Sequence, residues 1–190
     1  MSACFVPLDE HANAHAATFN ADRAAGFVNP WGNSFPAEEV PFGRTLICNG
    51  VPFQLGSKRA AEPDHVECLR LELATEASIA TRTIGLLGFS ELGNQTLELG
   101  IVGRFKERRH ATLVVPYWLN VPRDAAGPAV WQATHLHYAA GYELDRLVPS
   151  LHAVILRLPS PFHAVSIEFE ANPLVHIMAL TLLDREVQHA

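Results

Sequence analysis

The feature that most constrains this chain is its C-terminal stretch AVSIEFEANPLVHIMALTLL, residues 164–183. Val165, Ile167 and Phe169 alternate with Ser166, Glu168 and Glu170, the period of two that marks a half-buried strand. Asn172 and Pro173 predict a turn, so the stretch reads as a strand pair. Leu174–Leu183 is almost continuously apolar, as a strand covered on both faces requires. A core that waits for the last residues of the chain is built from non-local pairings, which points to a single all-β unit.

The rest of the sequence agrees. Residues 44–55 read as two short strands turned at Asn49–Gly50. Residues 66–73 alternate as one strand. Residues 79–90 form an apolar strand in which Gly85 and Gly88 mark a bulge or the close approach of a neighbour. Residues 95–105 and 110–119 form a hairpin around a charged turn, and 131–139 and 151–158 give two more strands. Residues 3–19 read as an extended edge with a short turn of helix. Residues 20–43 are rich in turn formers and read as a long loop packed onto the domain through Phe27, Trp31 and Phe35. About ten short strands with turn signals and no amphipathic helix predict one antiparallel β-sandwich domain over residues 1–190.

Composition narrows the function. The chain has 190 residues and a formal charge of −6. An acidic chain is a poor partner for nucleic acid, because phosphate binding needs a basic face. The one basic cluster, Lys106, Arg108 and Arg109, reads as a solvated turn. No segment is apolar over the ~18 residues a spanning helix needs, so no membrane partner is expected. The N-terminus lacks a basic segment followed by an apolar run, so a cytoplasmic location is expected. Cys4, Cys48 and Cys68 fit reduced thiols there, although the spacing leaves a Cys48–Cys68 disulfide open.

The ten histidines supply the candidate chemistry. His135 and His137, two apart in THLHY, share one face if this segment is a strand. They could hold a metal or act as acid and base, with Glu143 or Asp145 nearby as a third group. The competing reading is that both face solvent or the polar mouth of a sandwich. His11 and His15, with Asp9 and Glu10, form a second grouping in an N-terminal edge. His163 and His176 lie in apolar strands and read as satisfied core histidines. Trp31 and Trp131 are candidate stacking platforms for a sugar face, while Trp118 at a strand end reads as core. No nucleophile elbow, phosphate loop or dinucleotide fingerprint occurs.

Several segments together resemble the galactose-binding-like jelly-roll domains that bacteria place beside glycoside hydrolases. These are FNADRAAGF (19–27), SFPAEEVPFGRTLICNGVPFQL (34–55), TIGLLGFS (83–90), the hairpin ending in Trp118, and LRLPSPFHAVSIEFEANPLVHIMALTLL (156–183). The resemblance implies a jelly-roll sandwich with a sugar or other polar small molecule at its loop end, with Trp31, Trp131 and Arg104 as ligand-binding candidates. It also implies a structural calcium near Asn20 and Asp22, against which the adjacent Arg23 counts. Two departures stand out: such domains are usually exported whereas no signal is expected here, and the hairpin turn reads Arg104-Phe105-Lys106-Glu107-Arg108-Arg109 where a Tyr-x-Asp-Gly type sequence is expected. Three functions follow as expectations. The first is a non-catalytic binding module. The second is a tailoring enzyme of the cyclase, isomerase or lyase type, using His135, His137 and Glu143. The third is an assembly subunit, for which the long apolar strands suit a homodimer.

Overall fold

The computed structural model describes residues 2–60, 62–75, 79–120, 129–141, 143–144 and 146–187, with the backbone alone at 120, 143 and 144. The N-terminal part supplies β1 (Ala3–Val6), β2 (Ala17–Thr18), β3 (Asn33–Pro36), β4 (Thr45–Cys48) and β5 (Val51–Gln54). The middle supplies β6 (Val66–Cys68), β7 (Leu71–Ala74), β8 (Thr81–Ser90), β9 (Gln95–Gly103), β10 (Arg108–Val115) and β11 (Leu119–Asn120). The rest supplies β12 (Ala129–Gln132), β13 (Leu136–Tyr138), β14 (Glu143–Leu144), β15 (Val148–Phe162), β16 (Ala164–Phe169) and β17 (Asn172–Leu183). The helical elements among the described residues are two short 3-10 turns, Asp9–His11 and Arg23–Ala25.

A central sheet runs β1-β17-β8-β15-β11, with β12 added on β15 and β6 on β17. One of its faces meets the sheet β10-β9-β16-β7, burying Ile84, Leu86, Leu97, Leu99, Ile167 and Ile177 between them. The other face is covered by the β4–β5 hairpin and by the small sheet β14-β13-β3-β2, around Phe35, Phe53, Leu87, Phe89 and Trp118. The two layers explain the apolar C-terminus. In β17, Leu180 and Leu182 enter the first core while Met178, Ala179 and Leu183 enter the second. A strand with a core on each side has no face left for polar residues. The all-β sandwich class is therefore borne out.

The departures have physical causes. β16 and β17 are not a pair: β16 lies between β9 and β7, whereas β17 lies between β1 and β8. The turn expected at Asn172 and Pro173 falls earlier: Glu170 and Ala171 carry the chain from one sheet to the other, and Asn172 already pairs with Cys68 in the central sheet. Val165 points outward, 39% exposed, because the ladder slips between Ala164 and Ser166. The strand expected over 66–73 breaks at Arg70, whose φ of 120° is rare for an L-residue. Before the break β6 pairs with β17; after it β7 pairs with β16, and Leu69 is left exposed. The segment 131–139 likewise divides into β12 and β13, which belong to different sheets. The loop 20–43 contains the fully buried β3, which pairs in parallel with β2. Phe35 packs down as expected, but Phe27 and Trp31 do not. His163 is exposed rather than core. Cys48 and Cys68 form no disulfide; both are free thiols, pushed above the ordinary value by burial.

One buried polar chain ties the layers together. Asp64 accepts hydrogen bonds from the backbone N–H groups of Ala16 (2.9 Å) and Ala17 (3.1 Å), beside β2. Its carboxylate also meets Lys58 Nζ at 2.8 Å and His65 Nδ1 at 2.9 Å. His65 Nε2 lies 2.8 Å from Nδ1 of His176 on β17, whose ring stacks on Phe89 with centroids 4.6 Å apart. Burial works against charge on Asp64, but His65 and Lys58 outweigh it and hold the carboxyl below its usual range. Burial, reinforced by His65, pushes His176 down from 6.5 to about 3.

Both shifts have the same consequence in acid. The unfolded chain takes up a proton on His176 near pH 6.5 while the folded one refuses it until about 3, so stability falls across that interval. Asp64 contributes stability above its unfolded pKa and loses it as the pH drops through the depressed folded value. Thermal melts are expected to shift steadily downward from pH 6.5 towards 3. A flat melting temperature over that range would contradict the buried, neutral state of His176.

Candidate functional site

The small sheet β14-β13-β3-β2 and the loop from Asn20 to Gly32 form one lobe. In its interior Thr18 Oγ1 lies 2.7 Å from Ser34 Oγ and 3.0 Å from His137 Nδ1, a hydrogen-bonded ladder across three strands. All three residues are buried. Gly26 closes over them: a Cβ there would stand 2.5 Å from the Cβ and Oγ of Ser34. Buried hydroxyls and imidazoles cost little only when bonded in this way.

His135 and His137 do come together, with ring centroids 5.1 Å apart. The carboxylate beside them is Glu39. Its Oε1 lies 3.1 Å from His135 Nδ1, and its Oε2 accepts the Thr134 N–H at 2.7 Å. Glu143 sits opposite His137 in the backbone register of β13 and β14, but its side chain lies outside the described residues, as does Asp145 altogether. Nε2 of both histidines is shielded from solvent by protein. Glu39 belongs to the Pro-Ala-Glu-Glu run. Nothing in local spacing links it to a histidine nearly a hundred residues away, so this partner was not legible before folding.

The neighbouring Glu38 accepts the Asn20 N–H at 2.8 Å. Burial opposes its charge, but that N–H, its own backbone N–H, His137 and Arg23 together hold it below the usual carboxylate range. The Arg23 guanidinium bonds Asn20 Oδ1 and, at 3.2 Å, the carbonyl of Gly141. A calcium at Asn20 and Asp22 would have to displace that guanidinium. Among the described residues no group of three or more His, Cys, Asp or Glu is arranged to hold a metal ion.

Above the ladder the loop presents Phe27 and Trp31, 68% and 65% exposed. Its backbone is firmly held. The Asn29 side chain accepts the N–H groups of Trp31 and Asn33, each at 3.2 Å, and Val28 N–H bonds the Asn33 carbonyl at 3.0 Å. Gly32, at φ 68°, packs so closely on Ala139 that a Cβ would lie 2.8 Å away. The turn that receives Arg23 is thus the one that braces Trp31. The other candidates lie elsewhere. Trp131 is half-buried with its ring 6.0 Å from Phe35, and Trp118 is core. Arg104 sits on the β9–β10 turn, in the sheet on the opposite side of the central one. His11 is exposed and His15 half-buried.

Layered antiparallel sheets carrying a braced polar lobe with outward aromatics define a β-sandwich domain protein. A family model for AziU2-like β-sandwich domains matches residues 2–186, and the chain belongs to that family. No curated protein matches it. No helix among the described residues is long and apolar enough to cross a membrane.

Proposed function

We propose that this is a non-catalytic binding module, one domain throughout, whose Asn20–Gly32 lobe holds a carbohydrate or similar polar small molecule. The observation that carries the reading is Trp31, kept 65% exposed on a loop whose backbone is fixed by the hydrogen bonds at Asn29 and Asn33 and by a glycine contact. Burying an indole is favourable, so a rigid loop that leaves it outside is shaped for an added surface. The apolar face of a pyranose stacks on such a ring. Phe27 extends the apolar area, and Asn20, Arg23 and Glu38 supply the planar polar groups that orient hydroxyls. The resemblance to galactose-binding-like jelly rolls points the same way. The rival tailoring enzyme has the carboxylate-backed His135 in its favour, but it needs an imidazole nitrogen that meets substrate, and His135 Nε2 is shielded.

The test is a saccharide screen by saturation-transfer NMR, followed by calorimetry on any hit. Trp31→Ala is expected to weaken binding about tenfold or more, the loss of roughly 1.5 kcal/mol of stacking, with an unchanged melting temperature. Conversion of the bound compound, or binding indifferent to Trp31→Ala, would sink the proposal.

A further inference from the structure

We propose that the cleft beside Lys58 and Asp64 is a second ligand site and that it takes a small organic amine, an ammonium head on an apolar body. The cleft has a volume of about 580 Å³ and lies between residues 5–9, residues 54–57, Arg59 and β17. That volume falls within the ~300–1,000 Å³ of small-molecule sites. Its walls include Val6, Leu8, Leu55 and Met178, which suit a hydrocarbon chain.

The polar groups decide the head. Lys58 and Asp64 are buried against each other at 2.8 Å, and Lys58 Nζ also donates to the Glu62 carbonyl at 2.8 Å. His65 spends both ring nitrogens, one on Asp64 and one on His176. None of these three offers a ligand an open charge; Asp64 and His65 line the cleft, with Lys58 behind them. On the rim, Arg59 and Glu62 face each other at 3.7 Å and cancel. Asp9 is left. Its carboxylate leans over Gly56, where a Cβ would stand 2.8 Å from Oδ1, and no cation among the described residues pairs with it. The cleft therefore carries one negative charge that no described residue compensates, at the edge of a trough of mixed polar and apolar lining whose apolar part is Val6, Leu8, Leu55 and Met178. It attracts an ammonium group, is indifferent to a hydroxyl and repels a carboxylate.

Hexylamine, hexanol and hexanoate, which share a chain and differ only in the head, are the probes. Each is titrated against the 190-residue chain while the Met178 methyl resonance is followed by NMR. Hexylamine is expected to bind about fivefold more tightly than hexanol, the effect of one exposed ion pair, and hexanoate more weakly than either. The preference should shrink as salt is added. Asp9→Asn, at an exposed position that leaves the fold alone, should bring the amine to the level of the alcohol. Trp31→Ala should leave the amine unaffected, which separates this site from the aromatic lobe. Equal binding of amine and alcohol overturns the inference. So does an amine preference that survives Asp9→Asn, or the absence of any shift at Met178.

Discussion

Asp64→Ala is expected to lower folding stability by about 3–5 kcal/mol, the cost of removing one partner from a buried ion pair. The substitution strands more than one group. Lys58 has a side chain only 3% exposed and would keep its ammonium without a counter-charge. The N–H groups of Ala16 and Ala17 would lose their acceptor beside β2, and His65 Nδ1 its partner. Each orphaned donor adds its own desolvation cost. Asp64→Asn should recover little, because an amide cannot neutralise Lys58 and presents two donors where the site supplies four. The check is urea denaturation at pH 7, read at constant m-value. If Asp64→Ala loses less than about 1 kcal/mol, Lys58 has swung out to water and the clasp is a surface pair. The double variant Asp64→Leu with Lys58→Met discriminates further. It removes both charges at similar volume and should be more stable than either single change, since replacing a buried pair by apolar side chains is often nearly neutral.

What could be read from the sequence divides along one line: local period was legible and partner choice was not. Leu174–Leu183 announced a strand with a core on each side, and Asn49–Gly50 announced a hairpin turn, because both signals lie within a few residues. The pairing of β16 with β7 and β9 did not follow, since the two strands after Ala164 look like neighbours in sequence. Arg70 breaks an alternating run with no glycine or proline to announce it. The site shows the same division. The two-residue spacing of His135 and His137 suggests that they lie together, as their rings do, but Glu39, Thr18 and Ser34 reach them only through tertiary structure. The Lys58–Asp64–His65–His176 chain joins a loop and a C-terminal strand more than a hundred residues apart. His176 on its own looked like any core histidine. The turn-rich loop leaves two fates open for its aromatics, packing inward or standing out as a platform, and local sequence does not choose between them; Phe35 goes in, while Phe27 and Trp31 stay out.

Gly88→Ala is expected to cost more than about 4 kcal/mol, a large share of the roughly 5–15 kcal/mol that keeps an ordinary domain folded. Gly88 lies on β8 between His152 of β15 and Ile177 of β17. A Cβ there would stand 2.2 Å from the His176 carbonyl oxygen, far inside contact distance. The obstacle is backbone, so no side-chain rotation relieves it. β17 would have to move out of a ladder that already slips between Ile177 and Ala179, and His176 would move with it, away from His65. Gly85→Ala is the informative contrast. It lies on the same strand, but its Cβ would meet Val51 Cγ1 at 2.6 Å and the Phe53 ring at 3.0 Å, both side-chain atoms of the β4–β5 hairpin. Those atoms can shift, so the cost should stay near the 1–3 kcal/mol of ordinary overpacking. Soluble yield, circular dichroism and urea midpoints of the two variants check the pair. Equal losses would mean that the β8–β17 ladder has slack, and the close approach at Gly88 would then not be what holds His176 in reach of His65.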